Sequence, residues 1–479
     1  MSARRRSSSS TSPAGAAAAP YDPAPYNSLI DEARRRSLVF KLTYDLAAAA
    51  QPYLQLRKSR FENSYTATPQ TLSLSLPVGA PGNPFTTPVF LRKVFWDLPR
   101  YHQDSYQDNT GIVAGVRGRF LDQGVAGGRF LRDWRYDLTA NFARNVIDDV
   151  TTVNTFNTSA LTAALNDANP ANRPILAYDS SVAGNNPNAA GLLEKFLVAP
   201  SPRHHDYTDV FQYTFRADGM LWSGWAGEIK GAFGGESSEE KVHFYRDPGA
   251  ASYFLTKPFG RRMTAAFAEV NLPLLSARQR VPVVYRLDVG AAVRTEEFSD
   301  MGSHRTPRYN ALYQPFKWIT LRASRSEGFK VPRLYDLQGP VTSGSKITLT
   351  AASNVRDTLR GGEAVIGTFD YSSGGNPNLG PETSVSKTGG VVVDVPGKWF
   401  QGLSFAVDTW ELHYFNKVGS AGYQVLVDFF PERVVRAASK AASDPAGYAG
   451  PITGFNSTAI NLARYDTRGV DYSLSYQRA

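Results

Sequence analysis

Apolar and polar residues alternate along much of the chain. In "WRYDLTANF" (134–142), the residues at even positions are aromatic or aliphatic, whereas Arg135 and Asp137 lie on the opposite face. A period of two places successive side chains on opposite faces and predicts half-buried β-strands. The same alternation recurs in "FQYTFRADGML" (211–221), "AEVNLPL" (268–274), "YRLDVGAAVR" (285–294) and "GVDYSLSY" (469–476).

The pattern predicts thirteen strands, most of them longer than the roughly 5–6 residues usual in globular proteins. The predicted strands are 38–46, 52–62, 105–121, 129–146, 206–222, 225–246, 261–275, 282–298, 305–316, 318–327, 383–395, 402–416 and 466–478. Their connections are alternately short and long, and only the turn near 301–305 is short where a long loop is due. The long connections are 63–104, 147–205, 247–260, 328–382 and 417–465. This layout predicts an all-β fold, an antiparallel transmembrane β-barrel with short periplasmic turns and long extracellular loops.

Aromatic residues support a membrane location. They cluster at the short turns, where an outer-membrane barrel carries an aromatic girdle at the interface. The residues concerned are Trp222, Trp225, Phe316, Trp318, Trp399 and Phe400. The presumed lipid face carries almost no charge in mid-strand, which a soluble β-sandwich would not require. Aromatics closing a soluble core are the alternative interpretation.

Composition narrows the class of protein. The 479 residues include 42% hydrophobic and 12% aromatic residues, no cysteine, and a net charge of +9 from interleaved charges of both signs. Disulfides and thiolate metal sites are therefore excluded, and a single nucleic-acid-binding face is disfavoured. Without a run of 18 apolar residues the sequence predicts no transmembrane helix, but transmembrane strands need only about 9–11 residues.

The first 37 residues differ from the rest. "MSARRRSSSSTSPAGAAAAP" is rich in arginine, serine and alanine and lacks acids, and its apolar run 16–19 is too short for a signal-peptide core. A disordered leader is one interpretation, and an organelle transit peptide is another. We expect a low-complexity leader over 1–37, a barrel portion over 38–479, and no signal peptide.

No arrangement of residues points to catalysis. The one histidine cluster, formed by His204, His205 and Asp206, lacks an obvious further metal ligand and is interpreted as part of a solvated loop. Phosphate-binding loops, zinc-protease motifs and nucleophile elbows are absent from the sequence. The sequence therefore predicts a protein that is not an enzyme and holds no cofactor or metal.

The polar faces of the strands carry charges in mid-strand. They either line a hydrated lumen or neutralise one another between neighbouring strands. The lumen-facing candidates are Arg117, Arg135, Asp137, Arg216, Asp218, Arg286, Asp288, Arg294 and Arg322.

The stretch "GNPNLGPETS" (375–384) contains two proline turns. Proline fixes φ and pushes its predecessor out of the helical region, so both Asn-Pro and Gly-Pro favour turns. We expect this stretch to end an extracellular loop and position the chain before strand 383–395. "NNPNAAG" and "TSGSKITLTAASN" are interpreted as polar loop.

Several segments in order resemble the β-barrel of TonB-dependent outer-membrane receptors. They are "FAEVNLPLL" (267–275), "TPRYNALYQPFKWITLRASRSEGFKVPRLYDL" (306–337), "GNPNLGPETS" (375–384), "GLSFAVDTWELHYFNKV" (402–418) and "RYDTRGVDYSLSYQ" (464–477). Lys330 and Val331 depart from the family, which usually has arginine and alanine there. The family-motif residues are Gly328, Phe329, Pro332, Leu337, Asn376, Pro377, Leu379, Pro381 and Glu382.

The resemblance implies uptake of a scarce, bulky nutrient across a Gram-negative outer membrane, with the TonB protein as energy-transducing partner. Siderophore-bound iron, cobalamin or a glycan is the implied substrate. Family barrels have about 22 strands and a plugged lumen, so we expect this chain to be an incomplete barrel portion without the plug, the TonB-contact segment or the final strands. The alternatives are a secreted or surface β-rich glycan-binding adhesin, a plugless porin-like channel and a non-functional gene fragment.

Overall fold

The computed structural model describes residues 31–66, 69–100, 102–153, 156–178, 180, 184–197, 204–246, 259–339, 341–438 and 442–477. Most of the predicted leader therefore lies outside the described residues. None of the helices in these ranges is long and apolar enough to cross a membrane.

The described ranges contain twenty-one strands and three α-helices. The strands are β1 (Glu32–Thr43), β2 (Gln51–Thr66), β3 (Gln70–Leu76), β4 (Val89–Phe95), β5 (His102–Phe120), β6 (Phe130–Val153), β7 (His204–Ser223), β8 (Glu228–Arg246), β9 (Phe259–Ser276), β10 (Arg286–Phe298), β11 (Gly302–Phe316), β12 (Ile319–Lys330), β13 (Thr342–Leu349), β14 (Arg356–Asp357), β15 (Glu363–Ala364), β16 (Gly367–Ser373), β17 (Glu382–Asp394), β18 (Leu403–Gly419), β19 (Val434–Arg436), β20 (Ile452–Asn456) and β21 (Ile460–Tyr476). The helices are α1 (Thr158–Leu165), α2 (Leu334–Gln338) and α3 (Tyr423–Phe429).

Thirteen strands form one antiparallel sheet in the order β1-β2-β5-β6-β7-β8-β9-β10-β11-β12-β17-β18-β21. Each of the thirteen strands predicted from the sequence corresponds to one of these, in the same order. The prediction of a large antiparallel strand architecture is therefore confirmed. Strands that are adjacent in this sheet also follow one another in sequence among the thirteen, because each short turn or long loop returns the chain beside the previous strand.

The connections also follow the predicted alternation. Six short connections (44–50, 121–129, 224–227, 277–285, 317–318 and 395–402) lie at one end, called here the short-turn end. At the opposite end, called the long-loop end, lie the strand ends that are joined by 67–101, 154–203, 247–258, 331–381 and 420–459 and by the short turn 299–301.

The strand boundaries correct the sequence prediction in detail. β1 begins at Glu32, so the expected leader boundary at residue 37 falls inside a strand. β7 begins at His204, which places the histidine cluster at the start of a strand rather than in a loop. Likewise, "TSGSKITL" forms β13 and is not a polar loop. The long-range pairing of these segments adds residues that local hydrophobic periodicity misses.

The sheet has two chemically different faces. The outer face, which carries Leu138, exposes large apolar side chains from the short-turn end upward, and Tyr472 and Leu474 on β21 are 74% and 72% exposed. Above this band, the paired positions Arg325, Lys387, Glu411 and Arg468 form a charged row. The outer face is thus apolar only in its lower part, which restricts the charge-free region expected from the sequence. The opposite, inner face carries Arg135 and Asp137.

Two long loops fold together into a compact unit, called loop module I. It combines the β3–β4 hairpin with α1 and the segments 170–178 and 184–197, and its core residues are buried. Phe95 is 0% exposed and packs against Phe156, with 5.2 Å between ring centroids. The other core residues are Leu72, Leu74, Leu76, Ala80, Leu98, Leu161, Leu165, Leu176 and Leu193.

A second unit, loop module II, joins the connections 331–381 and 420–459. Its four-stranded sheet runs β13-β16-β20-β19, and β16 pairs in parallel with β20 from the other loop. Phe455, 1% exposed, and Leu426 of α3 lie in its core. Two arginine–aspartate pairs, Arg436 with Asp357 and Arg360 with Asp444, tie the same two loops together.

Candidate functional site

Charged side chains on the inner face pair with one another. The Arg135 guanidinium lies 2.7 Å from the Asp218 carboxylate on the next strand, and Arg216 lies 3.6 Å from the same group. Arg286 donates to Asp288 at 2.7 Å two residues along β10. Such pairs hold opposite charges at adjacent positions of a sheet, where they stabilise it.

Other pairs reach across an intervening strand. Arg294 of β10 donates to Glu236 of β8 at 2.9 Å, and Arg322 of β12 donates to Asp408 of β18 at 2.9 Å. The second contact passes over Gly390 of β17, where a Cβ would lie 1.9 Å from the Asp408 carboxylate. Only the absence of a side chain at this position lets the pair form.

A glycine on the intervening strand also allows a contact between β2 and β6. Tyr53 donates a hydrogen bond to Asp137 at 2.7 Å and lies 2.8 Å from the Thr139 hydroxyl. Its ring crosses β5 at Gly115, where a Cβ would come within 2.4 Å of the ring. Arg117 lies over the same ring, 5.5 Å from its centroid, and donates to Gln51 at 2.6 Å.

All nine lumen-facing candidates therefore have a polar partner. Seven of them pair with an opposite charge, which is the mutual neutralisation that the sequence left as an alternative. Asp137 accepts a hydrogen bond from a hydroxyl group, and Arg117 donates to a neutral amide. Near the short-turn end the inner face also forms a groove of about 430 Å³, and eight charged residues help to line it: Arg119, Asp133, Arg135, Arg216, Asp218, Glu228, Lys230 and Glu269. The role of the candidates in passing a solute stays a prediction.

The family-motif residues meet at the long-loop end. Pro332 is fully buried, and its carbonyl accepts a hydrogen bond from Arg261 at 3.0 Å. Arg261 is 6% exposed and also grips Asp300 with both nitrogens of its fork, at 2.9 and 2.8 Å. Leu334 and Leu337 of α2 are buried directly after this turn. We call Arg261, Asp300 and the Pro332 carbonyl the rim clamp.

The second motif docks against the first. The backbone N–H of Asn376 donates to the Asp336 carbonyl at 2.7 Å, and its side-chain amide donates to the Ala459 carbonyl at 2.8 Å. Leu379 is 4% exposed, and the Gly380 N–H donates to the Asn461 side chain at 2.8 Å. The motif thus joins α2 to the start of β21, while Pro377 stays exposed and Pro381 is half-buried.

Glu382 closes this arrangement at the start of β17. Its carboxylate is nearly buried and accepts from the Val418 N–H at 2.9 Å, from Lys330 at 3.3 Å, and from the Tyr414 hydroxyl. Lys330 therefore provides the cation expected at this position. Gly328 and Phe329 precede it on β12, and the Phe329 ring stacks on His304, 4.6 Å between centroids.

Loop module I carries its own polar network. Lys93 lies 3.4 Å from the centroid of the Tyr178 ring and donates to the Leu176 carbonyl at 2.8 Å. The Tyr178 hydroxyl donates to Asp97 at 2.7 Å. Burial, reinforced by this hydrogen bond to a carboxylate, raises the pKa of Tyr178 well above its usual value, so the phenol stays protonated.

The structure adds residues that the sequence did not single out. Arg261 and Asp300 form part of the rim clamp, and Tyr53 lies on the inner face. Of these three, only Arg261 had a signal in the sequence, the double arginine of "GRRMT" (260–264) at the start of a strand. Within the described ranges, no group of three histidine or acidic residues is placed to hold a metal ion, and this includes the surroundings of His205.

Comparison with known proteins supports the outer-membrane interpretation. The family model described as "TonB dependent receptor-like, beta-barrel" matches residues 56–477. A search of curated proteins gave no match.

Among solved structures, the siderophore receptor PirA from Acinetobacter baumannii is 13% identical over 94% of this chain and 60% of its own, with a TM-score of 0.42. The ferric enterobactin receptor PfeA from Pseudomonas aeruginosa is 12% identical, covering 92% of this chain and 60% of its own, at 0.41. The Serratia marcescens hemophore receptor HasR is 12% identical, covering 92% and 61%, at 0.44.

The chain thus spans about 60% of the length of these receptors. The family assignment rests on the match over residues 56–477, which includes the rim clamp, both docked motifs and most of the large sheet. This chain belongs to the TonB-dependent receptor family, and the matched part is the β-barrel.

Proposed function

We propose that the protein takes part in the uptake of a scarce, bulky nutrient across the outer membrane of a Gram-negative bacterium. The observation that carries the proposal is the family match over almost the whole of the large sheet. Siderophore-bound iron, cobalamin and a glycan fragment are the proposed substrate classes. Such solutes are too large or too dilute for passive diffusion, so a receptor that binds before it releases is needed.

The two faces of the sheet support a position within a membrane. Exposed large apolar residues would contact lipid on the outer face, because burying them there recovers about 25 cal/mol per Å². The paired charges of the inner face would line an aqueous interior at little cost, since each already has a partner. The aromatics at the short turns, among them Trp399, 93% exposed, suit the membrane interface.

In this proposal the long-loop end faces the outside and meets the substrate first. Loop modules I and II present a folded surface there, and the rim clamp fixes the turn before α2 to β9 and to the turn between β10 and β11. The chain binds and passes its solute without changing it chemically. The TonB protein supplies the energy in the whole receptor.

We also retain the proposed division of the chain into a leader and a barrel portion. In this proposal β1, which begins at Glu32, would belong to the barrel portion, and the leader would comprise the residues before it.

The test is nutrient uptake by cells. A strain lacking the gene should lose growth on one nutrient when ferric siderophores, cobalamin and oligosaccharides are supplied singly as the limiting source. Complementation should restore growth and accumulation of the radiolabelled nutrient, and a tonB deletion in the complemented strain should abolish both. Unchanged uptake of every nutrient, or uptake that persists without TonB, would contradict the proposal.

A further inference from the structure

One edge of loop module I is a β-strand that pairs on one side only. β3 hydrogen-bonds with β4 in a two-stranded sheet, and the other edge of β4 is covered by the module itself, because the Ser180 hydroxyl donates to the Val94 carbonyl at 2.9 Å. Apart from the Asn83 amide of the hairpin loop, which donates to the Leu76 carbonyl, no described residue outside β4 hydrogen-bonds to the backbone of 71–76. Every second residue of such a strand points its N–H and C=O away from the sheet.

β3 lacks the features that usually prevent an edge strand from pairing with another chain. Charged side chains, prolines and bulges discourage such pairing. The strand "QTLSLSL" (70–76) carries no charge and no proline, and its register with β4 has no shift. Its hydroxyl-bearing side chains are exposed and its apolar ones are buried in the core: Thr71, Ser73 and Ser75 against Leu72, Leu74 and Leu76. Another strand can therefore pair with β3 without burying a charge.

The pairing segment is also symmetric about its centre. Pro69 and Pro77 each lie four residues from Ser73, and neither has an N–H with which to continue a ladder. Two copies of β3 that pair antiparallel about Ser73 therefore end together at these prolines. Within these limits the opposed residues are Ser73 with Ser73, Leu72 with Leu74, Thr71 with Ser75 and Gln70 with Leu76. Hydroxyl pairs across neighbouring strands stabilise a sheet, and no like charges are opposed.

Pairing of two copies would also continue both faces of the hairpin. Leucines of the two copies would meet on the core side, and hydroxyl groups on the exposed side. The exposed cation nearest to the centre is Arg92 of β4, which is in register with Ser73. The two copies of Arg92 would lie three strand spacings apart, about 14 Å, which exceeds the Debye length of about 8 Å at physiological ionic strength. Their repulsion is therefore largely screened.

We propose that the free edge of β3 is a self-association surface, through which two copies of this chain form a four-stranded sheet in the order β4-β3-β3-β4. The proposal goes beyond the uptake function and does not depend on it. A second copy is favoured over an unrelated peptide because the segment is neutral, alternates in the same way in both directions, and ends at the same distance on each side of Ser73. A two-fold symmetric interface requires such a self-complementary patch.

Disulfide cross-linking tests the register directly, because the chain contains no cysteine of its own. The purified full-length protein is oxidised in neutral detergent, and covalent dimers are measured on non-reducing gels. Ser73→Cys should give at least about tenfold more dimer than Ser75→Cys. Opposed Cα atoms lie about 4.5–5.5 Å apart, within disulfide range, whereas the two copies of position 75 lie four residues, about 14 Å, apart along the strands. Thr71→Cys alone should also fail to cross-link, but a mixture of Thr71→Cys and Ser75→Cys should form the mixed dimer.

A charge variant tests the association without a cross-link. Ser73 is exposed, so its substitution should leave the core of loop module I intact, which limited proteolysis checks. Ser73→Lys would oppose two ammonium groups at the centre of the pair and should weaken dimerisation roughly fivefold, whereas the neutral Ser73→Gln should not. Sedimentation velocity measures both dissociation constants. The effect of Ser73→Lys should shrink at about 1 M salt, where the Debye length falls to about 3 Å.

Arg92→Cys, on the exposed face of the neighbouring strand, is the control for random collision. Equal cross-linking of Ser73→Cys, Ser75→Cys and Arg92→Cys would overturn the proposal. A parent protein that sediments as a monomer, together with no dimer of Ser73→Cys, would overturn it as well. When the oxidation is repeated in cells, an adduct of Ser73→Cys with another polypeptide in place of the dimer would show that the β3 edge binds an extended peptide and not a second copy.

Discussion

Large apolar side chains stay exposed on the thirteen-stranded sheet, whereas in loop module I they are buried. Leu138 on the outer face is 49% exposed, and Tyr472 is 74% exposed, while Phe95 and Leu161 of the module are 0% exposed. The module excludes water from its own core, so it has the internal packing of a small globular domain. The sheet lacks that core and needs lipid on one face and paired charges on the other. The two regions should therefore unfold independently of each other, and different kinds of substitution should destabilise them.

The largest effect is expected from Phe95→Ala. Truncating a fully buried phenylalanine that packs on Phe156 should cost about 4 kcal/mol in loop module I. Limited proteolysis should then cut 69–100 and 156–178, while the heat-modifiable mobility of the sheet on unheated gels stays unchanged. Phe90→Ala is the matched control, because Phe90 lies on the same strand and is 73% exposed. Loss of the heat-modifiable form in Phe95→Ala would show that sheet and module unfold together.

The second-largest loss of stability is expected from removing the rim clamp. Arg261→Met leaves the Asp300 carboxylate, 19% exposed, without its partner, and should cost about 3 kcal/mol. The neighbouring Arg262 is 80% exposed in its pair with Glu239, so Arg262→Met should cost less than about 1 kcal/mol. Urea titration of the refolded protein, followed by gel mobility, measures both. Equal urea midpoints for the two variants would show that the rim clamp does not stabilise the protein.

A charge on the outer face tests the contrast between the faces directly. Leu138→Arg places a guanidinium in the apolar band of β6 and should destabilise the protein in lipid by about 2 kcal/mol. Asn141→Arg puts the same group on the inner face of the same strand and should be nearly neutral. Folding yield into vesicles compares them. If both variants insert equally well, the outer face does not contact lipid.

The smallest effect is expected from Gly115→Ala. The new Cβ would lie 2.4 Å from the Tyr53 ring, so Tyr53 must move and its bond to Asp137 is lost, at a cost of about 1–2 kcal/mol. Gly111→Ala adds the same methyl group four residues away with no contact under 3.9 Å and should leave stability within about 0.5 kcal/mol. The temperature at which the compact form disappears from unheated gels measures the difference in stability. If Gly111→Ala lowers stability as much as Gly115→Ala does, the loss of the Tyr53 contact across Gly115 is not the cause.

The period-two pattern alone determined the large sheet. Each strand of the sheet faces two environments, so the alternation has to be written into consecutive residues, and all thirteen strands and their order could be predicted. The alternation of short and long connections, including the short turn 299–301, followed directly. The motif "GNPNLGPETS" was correctly expected at the junction of a loop with a strand, because proline acts on local backbone geometry.

The loop modules were decided only by tertiary structure. β16 pairs with β20 more than eighty residues away, and Phe95 meets Phe156 across another long separation, so no local window contains the pattern of either core. The rim clamp and the contacts that cross Gly115 and Gly390 likewise join strands that are not consecutive in sequence. Local sequence fixes which face a side chain occupies, but which distant partner it meets depends on the register and curvature of the whole sheet.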